Sequence, residues 1–200
     1  RTGMRFGTIA DLKVKTIERA VPDPSFPGWH RLSVGPGGKP PVHTKFGVSG
    51  QVWIESSDLE RLKIYAFSSR RLKRQAVASE PDRDCLFLTR FGGRYGTEGS
   101  DLSRSMNVEL GRLRNEGVAQ GIKAFRNFRF HQSRCTFATE LARVAIRHGS
   151  VGIAIRLVKQ ALLHRSEAST LKYIQFVERT AAMADAADAF TQSFLGLVIQ

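Results

Sequence analysis

The sequence predicts a mainly α-helical protein with a small antiparallel β-sheet, an α+β fold, and three observations support this. Residues 101–195 carry apolar side chains at helical spacing in one segment after another. Before them, two runs typical of strands, Trp29–Val34 and Val48–Ile54, flank a Gly/Pro-rich stretch, which indicates a long-looped hairpin. The composition, 42% hydrophobic and 24% charged, is typical of a folded chain and excludes a disordered or collagen-like one.

The other elements of the first half follow from local patterns. Apolar spacing predicts a helix over residues 2–13. Ser57 and Glu60 form a capping box, which predicts a helix from there to about Val77. A short strand is predicted at Cys85–Thr89. Loops are predicted at the Pro/Gly-rich stretches Val21–Gly28 and Gly35–Pro41.

The second half is predicted to be helical throughout. Helices are expected near residues 101–116, 132–147, 150–163, 167–179 and 181–195. The chain contains no internal repeat, low-complexity tract or linker. Residues 1–200 are therefore predicted to form one domain.

The charge of the chain favours a nucleic-acid partner. Lys and Arg number 31 against 18 Asp and Glu, a net charge of +13, and the 22 arginines are spread through both halves. Guanidinium groups make planar, bidentate contacts with phosphate oxygens, so this excess indicates a phosphate polymer. The alternative is a merely basic soluble protein. The basic run Arg70–Arg74 could contact a DNA backbone, although such runs are more often solvated helix faces.

Cysteine usage and hydropathy exclude several classes of protein. The two cysteines, Cys85 and Cys135, cannot form a disulfide framework or a CxxC zinc site, which favours a reducing compartment such as the cytoplasm. No run approaches the 18 apolar residues of a membrane span, and the N-terminus lacks the apolar core of a signal peptide.

Four separated pieces carry residues suited to phosphate chemistry. They are Thr2–Arg5, a lysine in the predicted hairpin, His131–Arg134, and His164 with Tyr173 nine residues later. Each piece alone is weak, because an HxxR pair arises readily in an arginine-rich chain. Only three tyrosines occur in the 200 residues, so a tyrosine at a given offset from a histidine has a chance of about 3 in 200. The set in this order is therefore much more specific than its members.

Over nearly all of its length, the chain resembles the catalytic domain of the tyrosine recombinase (phage integrase) family. RTGMRFGTI resembles the first box of the family, whose arginine would be Arg5. HQSRCTFATEL resembles the second box, with His131 and Arg134 as its HxxR pair. ALLHRSEASTLKY resembles the third box, in which His164 precedes the nucleophile Tyr173.

The resemblance implies the tyrosine recombinase catalytic-domain fold and a role for each of these residues. Arg5 and Arg134 would clamp the non-bridging oxygens of a DNA phosphate, and His164 would add a hydrogen bond. Tyr173 would attack phosphorus and leave a 3′-phosphotyrosyl ester, and His131 would accept its proton. No metal and no cofactor are implied, because the two arginines supply the positive charge that divalent ions supply in many nucleases.

The general acid is assigned to a lysine of the hairpin. Lys45, in the stretch His43–Val48, resembles the lysine turn of the family and would protonate the leaving 5′ oxygen. Lys39 remains open as the alternative. Supporting positions depart from the family pattern in three places: Thr8 replaces an acidic residue, Ser133 a leucine, and Leu163 the glycine before the histidine.

Partners and context also follow from the resemblance. Double-stranded DNA is the expected partner, and an N-terminal DNA-binding domain is expected ahead of residue 1. Residues 181–200 either pack on their own core or dock on a neighbouring protomer within a tetramer on DNA. The cytoplasmic location would be the bacterial nucleoid, and a phage, plasmid, transposon or chromosomal role stays open. Two alternatives are a type IB topoisomerase-like relaxation of DNA and a non-catalytic DNA-binding module.

Overall fold

The computed structural model describes residues 2–95 and 102–194, with the side chains of 102–106 and 186–194 outside the description. The chain divides into two compact units. Unit 1 contains the residues up to Phe137 together with Gln160–Leu163. Unit 2 contains Ala138–Lys159 and the residues from His164 onward. The single domain expected over residues 1–200 stays a prediction.

Helices make up most of the described structure, as the sequence predicts. They are α1 (Phe6–Ala10), α2 (Val14–Glu18), α3 (Ser56–Ala66), α4 (Ser69–Ala76), α5 (Leu102–Ala119), α6 (Phe130–Arg147), α7 (Val151–Leu162) and α8 (Ala168–Phe194). Short 3-10 turns lie at Lys45–Gly47, Glu80–Asp82 and Lys123–Phe125. Within the described residues, no helix has the length and hydropathy needed to cross a bilayer.

Unit 1 contains a three-stranded antiparallel sheet. Its strands, in spatial order, are β1 (Val21–Pro22), β2 (Trp29–Val34) and β3 (Gly50–Glu55). Trp29 pairs with Glu55 and Val34 with Gly50, so β2 and β3 form the predicted hairpin with a long loop. Alternate side chains are buried, which places Leu32 and Val52 in the core beneath the sheet. The predicted α+β class is confirmed.

Three of the expected helices differ in the structure, and two of these differences have local causes. The capping box is wrong, because β3 continues to Glu55 and α3 begins at once, with Glu55 rather than Ser57 at its N-cap. The helix predicted to reach Val77 breaks after α3, where the Ser68 hydroxyl accepts from the Arg71 backbone N–H and starts α4. The helix predicted over residues 2–13 is reduced to α1.

The remaining differences concern strands and the last helix. Cys85–Thr89 is not a strand, because only isolated bridges form there, from Cys85 to Lys13 and from Leu88 to Arg94. The predicted loop at Val21 instead opens with β1, paired to β2. The two helices expected at 167–179 and 181–195 form one helix, α8, because no Gly or Pro interrupts the chain between them.

Arg71 of the basic run is a structural residue rather than a surface one. It is buried, and its guanidinium donates to the carbonyls of Arg83 at 2.9 Å and Cys85 at 2.8 Å and to the Gln75 side chain at 2.9 Å. Arg74 donates to the Leu88 carbonyl at 2.6 Å. These bonds hold the irregular segment after α4 and satisfy carbonyls that a strand would otherwise pair.

Candidate active site

Unit 1 contains a cavity of about 750 Å³ that gathers four of the six predicted site residues. These are Arg5, Lys45, His131 and Arg134. The other residues of its wall are Met4, Phe6, Asn107, Arg114, Arg129 and Phe130. Residues that lie up to 129 positions apart in the sequence are thus brought to one cavity.

Arg134 is the most firmly held of these side chains. It lies in the first half of α6 and is only 3% exposed. One terminal nitrogen donates to the Gly3 carbonyl, and the other donates to the Leu162 carbonyl at 2.7 Å. Two carbonyl acceptors fix the plane of a guanidinium group, because its five N–H donors have a rigid geometry.

Gly3 makes this arrangement possible. Its φ of +65° lies in the left-handed region, and a Cβ there would stand 2.4 Å from a Phe137 ring carbon and 2.8 Å from a Leu162 methyl group. A side chain at this position would therefore force Phe137 and Leu162 to move and would strain the backbone whose carbonyl accepts from Arg134. The glycine of the first box has a steric role that its motif alone does not reveal.

An aromatic pair joins the first and second boxes. Arg5 immediately precedes α1, and the next residue, Phe6, packs its ring edge against Phe130 at a centroid distance of 5.6 Å. Phe130 opens α6 and is followed by His131, which is exposed. Contact between the two phenylalanines thus keeps the starts of α1 and α6 together at the cavity.

The loop before Lys45 is anchored by backbone contacts. Asp11 accepts from the His43 backbone N–H at 2.6 Å, and the buried Thr44 donates its hydroxyl proton to the Val48 carbonyl at 2.7 Å. Lys45 then begins a 3-10 turn, with its ammonium 5.0 Å from the centroid of the Phe46 ring. These contacts set the direction in which Lys45 leaves the hairpin.

The second oxygen of Asp11 belongs to a partly buried network. Lys13 donates to it at 2.8 Å and to the sulfur of Cys85 at 3.2 Å. Burial acts to lower the pKa of Lys13, but its hydrogen bonds to Asp11 and Cys85 outweigh burial and raise the pKa above its usual value. Burial raises the pKa of the Cys85 thiol. Lys13 therefore stays an ammonium that orients Asp11 beneath the loop.

The alternative general acid, Lys39, lies elsewhere in unit 1. It lines a different and smaller cavity with Thr16, Arg19 and Ser33, and its carbonyl accepts from Arg19 at 3.0 Å. Of the two candidate lysines, Lys45 is the one that shares a cavity with Arg5 and Arg134.

Two further arginines line the cavity and were missed by the sequence analysis. Arg114 comes from α5, and Arg129 lies two residues before His131. Nearness to the second box could have indicated Arg129, whereas Arg114 carries no motif. With them, five cationic side chains surround this cavity, and no described residue of its wall is a carboxylate.

Leu163 explains one departure from the family pattern. Its φ of +51° is in the left-handed region, where the glycine usual in the family is unstrained. The Leu163 side chain packs on the core of unit 1 and reaches Gly50, where a Cβ would lie 2.5 Å from its methyl group. Packing against a glycine of β3 offsets the backbone strain.

Unit 2 places His164 and Tyr173 together. The His164 ring is 7% exposed, and its Nδ1 lies 2.9 Å from the hydroxyl of Thr170, which is fully buried. The ring stacks on that of Tyr173, which is half-buried on α8, with centroids 5.9 Å apart and planes 12° from parallel. Thr170 lies inside the third box, but no role is predicted for it from the sequence.

The described residues contain no group of three or more His, Cys, Asp or Glu side chains placed to hold a metal ion.

Solved structures of recombinases are similar to this chain. XerH site-specific recombinase bound to palindromic difH substrate, a post-cleavage complex, matches with a TM-score of 0.55 and 20% identity over 92% of this chain and 42% of that one. Its pre-cleavage complex with difH matches with a TM-score of 0.54 and 20% identity over 90% and 41%. XerA recombinase matches with a TM-score of 0.51 and 22% identity over 92% and 52%.

The chain has the tyrosine recombinase fold. This confirms the fold that the three boxes imply. No family model matches the chain, and no curated protein matches it by sequence. It spans about half the length, or somewhat less, of the recombinase structures that it resembles.

Substituting Gly3 tests the steric role found in this recombinase fold. We expect Gly3→Ala to lower the free energy of unfolding by about 1–3 kcal/mol through overpacking, in addition to the cost of a positive φ. Gly28→Ala is the matched control, because Gly28 has a φ of +81° with nothing within 4 Å of a built Cβ. Urea denaturation measures the free energy of unfolding of both variants. Equal losses for the two variants would contradict the crowding of Arg134's acceptor.

Proposed function

We propose that this protein is a DNA strand transferase that cleaves and rejoins DNA through a 3′-phosphotyrosyl intermediate, as a site-specific recombinase. The observation that carries the proposal is the cavity of unit 1, which Arg5, Arg134 and three more cationic side chains line, with no carboxylate among the described residues of its wall. The tyrosine recombinase fold supports it, and similar structures hold a difH substrate before and after cleavage. Double-stranded DNA is the proposed partner.

The cations suit the charge that develops during phosphoryl transfer. A phosphodiester is already an anion, and attack at phosphorus concentrates negative charge on the non-bridging oxygens of the transition state. A guanidinium held in place by Gly3 and Leu162 meets that charge without reorganising. Loss of one such donor costs about 10²–10³ in rate in comparable sites. Arg5 and Arg134 are the proposed clamp, and it requires no metal.

Tyr173 is the proposed nucleophile. Attack forms a bond from its phenolic oxygen to phosphorus and breaks the bond to the 5′ oxygen, so the phosphate stays esterified and the energy of the bond is kept. His131 would accept the phenolic proton, and His164 would donate a hydrogen bond to a non-bridging oxygen. Lys45 would give a proton to the departing 5′ oxygen. The reverse reaction, with the 5′ hydroxyl of another strand, rejoins the DNA.

Assembly on DNA is part of the same proposal. Recombination exchanges strands between two duplexes, so a tetramer is the proposed active form, with residues 181–200 docking on a neighbouring protomer. Residues 181–185 are exposed on α8, while the remaining side chains of this segment lie outside the described residues.

Trapping the covalent intermediate tests the nucleophile. We expect the protein to form a denaturation-resistant adduct with duplexes that carry a nick close to randomised candidate sites, because the freed 5′ fragment diffuses away and prevents rejoining. Tyr173→Phe removes the attacking oxygen and should abolish the adduct, measured on denaturing gels. Tyr65→Phe is the control, since Tyr65 stacks on Phe87 in the core. An adduct retained by Tyr173→Phe would defeat the assignment.

A sulfur-containing substrate tests the general acid, using the sequence recovered from trapped adducts. We expect Lys45→Ala to slow cleavage about 10²-fold or more on ordinary DNA. Replacing the bridging 5′ oxygen with sulfur should restore the rate, because a thiolate leaves without being protonated. Lys39→Ala should cleave both substrates normally. A sulfur-rescued defect in Lys39→Ala instead would transfer the role to Lys39.

The salt dependence of DNA binding tests Arg114 and Arg129. We expect Arg114→Ala and Arg129→Ala each to lose one phosphate contact. Each loss should reduce the steepness of the slope of log K against log salt concentration by about 1, measured by fluorescence anisotropy. Arg112→Ala is the control on the same helix, because Arg112 is exposed and paired with Glu109 at 2.8 Å. Unchanged slopes for Arg114→Ala and Arg129→Ala would remove both from the DNA interface.

A further inference from the structure

We infer that Thr170 is a positioning residue that keeps the proton of His164 on Nε2, so that the ring can donate a hydrogen bond to the phosphate. The inference rests on the proposed function and gives a role to a side chain of the third box that has none among the predicted site residues. Its basis is the 2.9 Å contact between the Thr170 hydroxyl and His164 Nδ1.

The contact lies within unit 2 and is shielded from water. Thr170 is 0% exposed and His164 is 7% exposed, so water does not compete freely for the hydrogen bond. The two residues are six positions apart, on either side of the start of α8 at Ala168. The side chain of Thr170 therefore ties the histidine to the helix that carries Tyr173.

Two more contacts fix the histidine. Its backbone N–H donates to the Lys159 carbonyl at 3.0 Å, which ties it to α7. Its ring lies nearly parallel to that of Tyr173, with centroids 5.9 Å apart. With the backbone and the ring plane both held, the orientation of the two ring nitrogens is set, and what remains to be specified is which of them carries the proton.

The chemistry of the phosphate decides which tautomer is useful. Phosphate oxygens accept hydrogen bonds, so the ring nitrogen that meets them must carry a proton. A neutral imidazole has one N–H, and a hydroxyl that donates to Nδ1 leaves that proton on Nε2. The opposite assignment, with Nδ1–H donating to Thr170, would turn the lone pair of Nε2 toward an anion. A threonine hydroxyl can donate or accept, so the inferred arrangement is the one of the two in which Thr170 donates to Nδ1.

Nitrogen NMR measures the tautomer directly. In ¹⁵N-histidine-labelled protein, we expect the His164 ring to show a protonated Nε2 and an unprotonated Nδ1. Thr170→Val keeps the shape of the side chain and removes the hydroxyl, so the Nε2–H form should lose its dominance. A wild-type ring with a proton on Nδ1, whether neutral or as an imidazolium, would overturn the inference.

Single-turnover cleavage of the nicked duplex supplies the functional measurement. Thr170→Val should lower the cleavage rate at saturating protein by about 10- to 100-fold, the range typical when a group that orients a metal-binding histidine is lost. The affinity for DNA should stay unchanged, because Thr170 is buried and contacts the ring. Thr170→Ser, which keeps the hydroxyl, should restore most of the rate.

Two controls separate positioning from packing. Thr180→Val removes another hydroxyl of α8, one that donates to the Phe176 carbonyl at 2.8 Å, and should leave the rate unchanged. In a His164→Ala background, Thr170→Val should have no further effect on the rate, because its action passes through the ring.

The outcomes distinguish this inference from the proposed function. Wild-type cleavage together with an unimpaired Thr170→Val, or with equal losses in Thr170→Val and Thr170→Ser, would overturn the role of Thr170 and leave the recombinase proposal standing. A wild-type protein that forms no adduct would overturn both.

Discussion

The geometry of the unit 1 cavity depends on the hydrogen bonds of one buried guanidinium. Arg134 donates to the carbonyls of Gly3 and Leu162, and so joins the N-terminal segment, the start of α6 and the end of α7. Burying a cation is costly unless hydrogen bonds replace its hydration, and backbone carbonyls do so without neutralising its charge. The two carbonyls belong to segments far apart in the chain, so together they hold the plane of the guanidinium group.

Lys45, the hairpin lysine, is positioned by a carboxylate, that of Asp11, which is not among the residues of the cavity wall. Asp11 accepts from the backbone N–H of His43 and from the ammonium of Lys13, so its negative charge is neutralised beneath the loop. Lys45 follows two residues later and lines the cavity. Local negative charge thus fixes the loop while the cavity wall remains free of carboxylates among the residues described. Position and charge are controlled by separate groups.

The class of fold and the four separated pieces with candidate site residues could be predicted from the sequence because both are recorded in short-range patterns. The β2 strand agrees with Trp29–Val34 residue for residue, since period-2 alternation reflects burial on one face. The features that could not be predicted from the sequence depend on contacts between residues far apart in the chain. The acceptor role of Gly3 involves a partner 131 positions away, and Arg114 reaches the cavity only through the packing of α5. The capping box at Ser57 failed because pairing of Glu55 with Trp29 set where α3 begins.

Gathering five cations around one cavity has an energetic cost. Five like charges around the cavity repel one another, and this repulsion is a cost of the folded state. Close packing nearby supplies the compensation. Leu163 has a left-handed backbone conformation, whose strain its core contacts beside Gly50 offset, whereas Gly3 adopts such a conformation without strain where Phe137 and Leu162 leave no room for a Cβ. Lys45 and Arg129 are exposed, so water and side-chain motion reduce the repulsion on them, whereas Arg134 is buried and held by two carbonyls. An entering phosphate would reduce the repulsion further, so the same charges that oppose the empty cavity favour the occupied one.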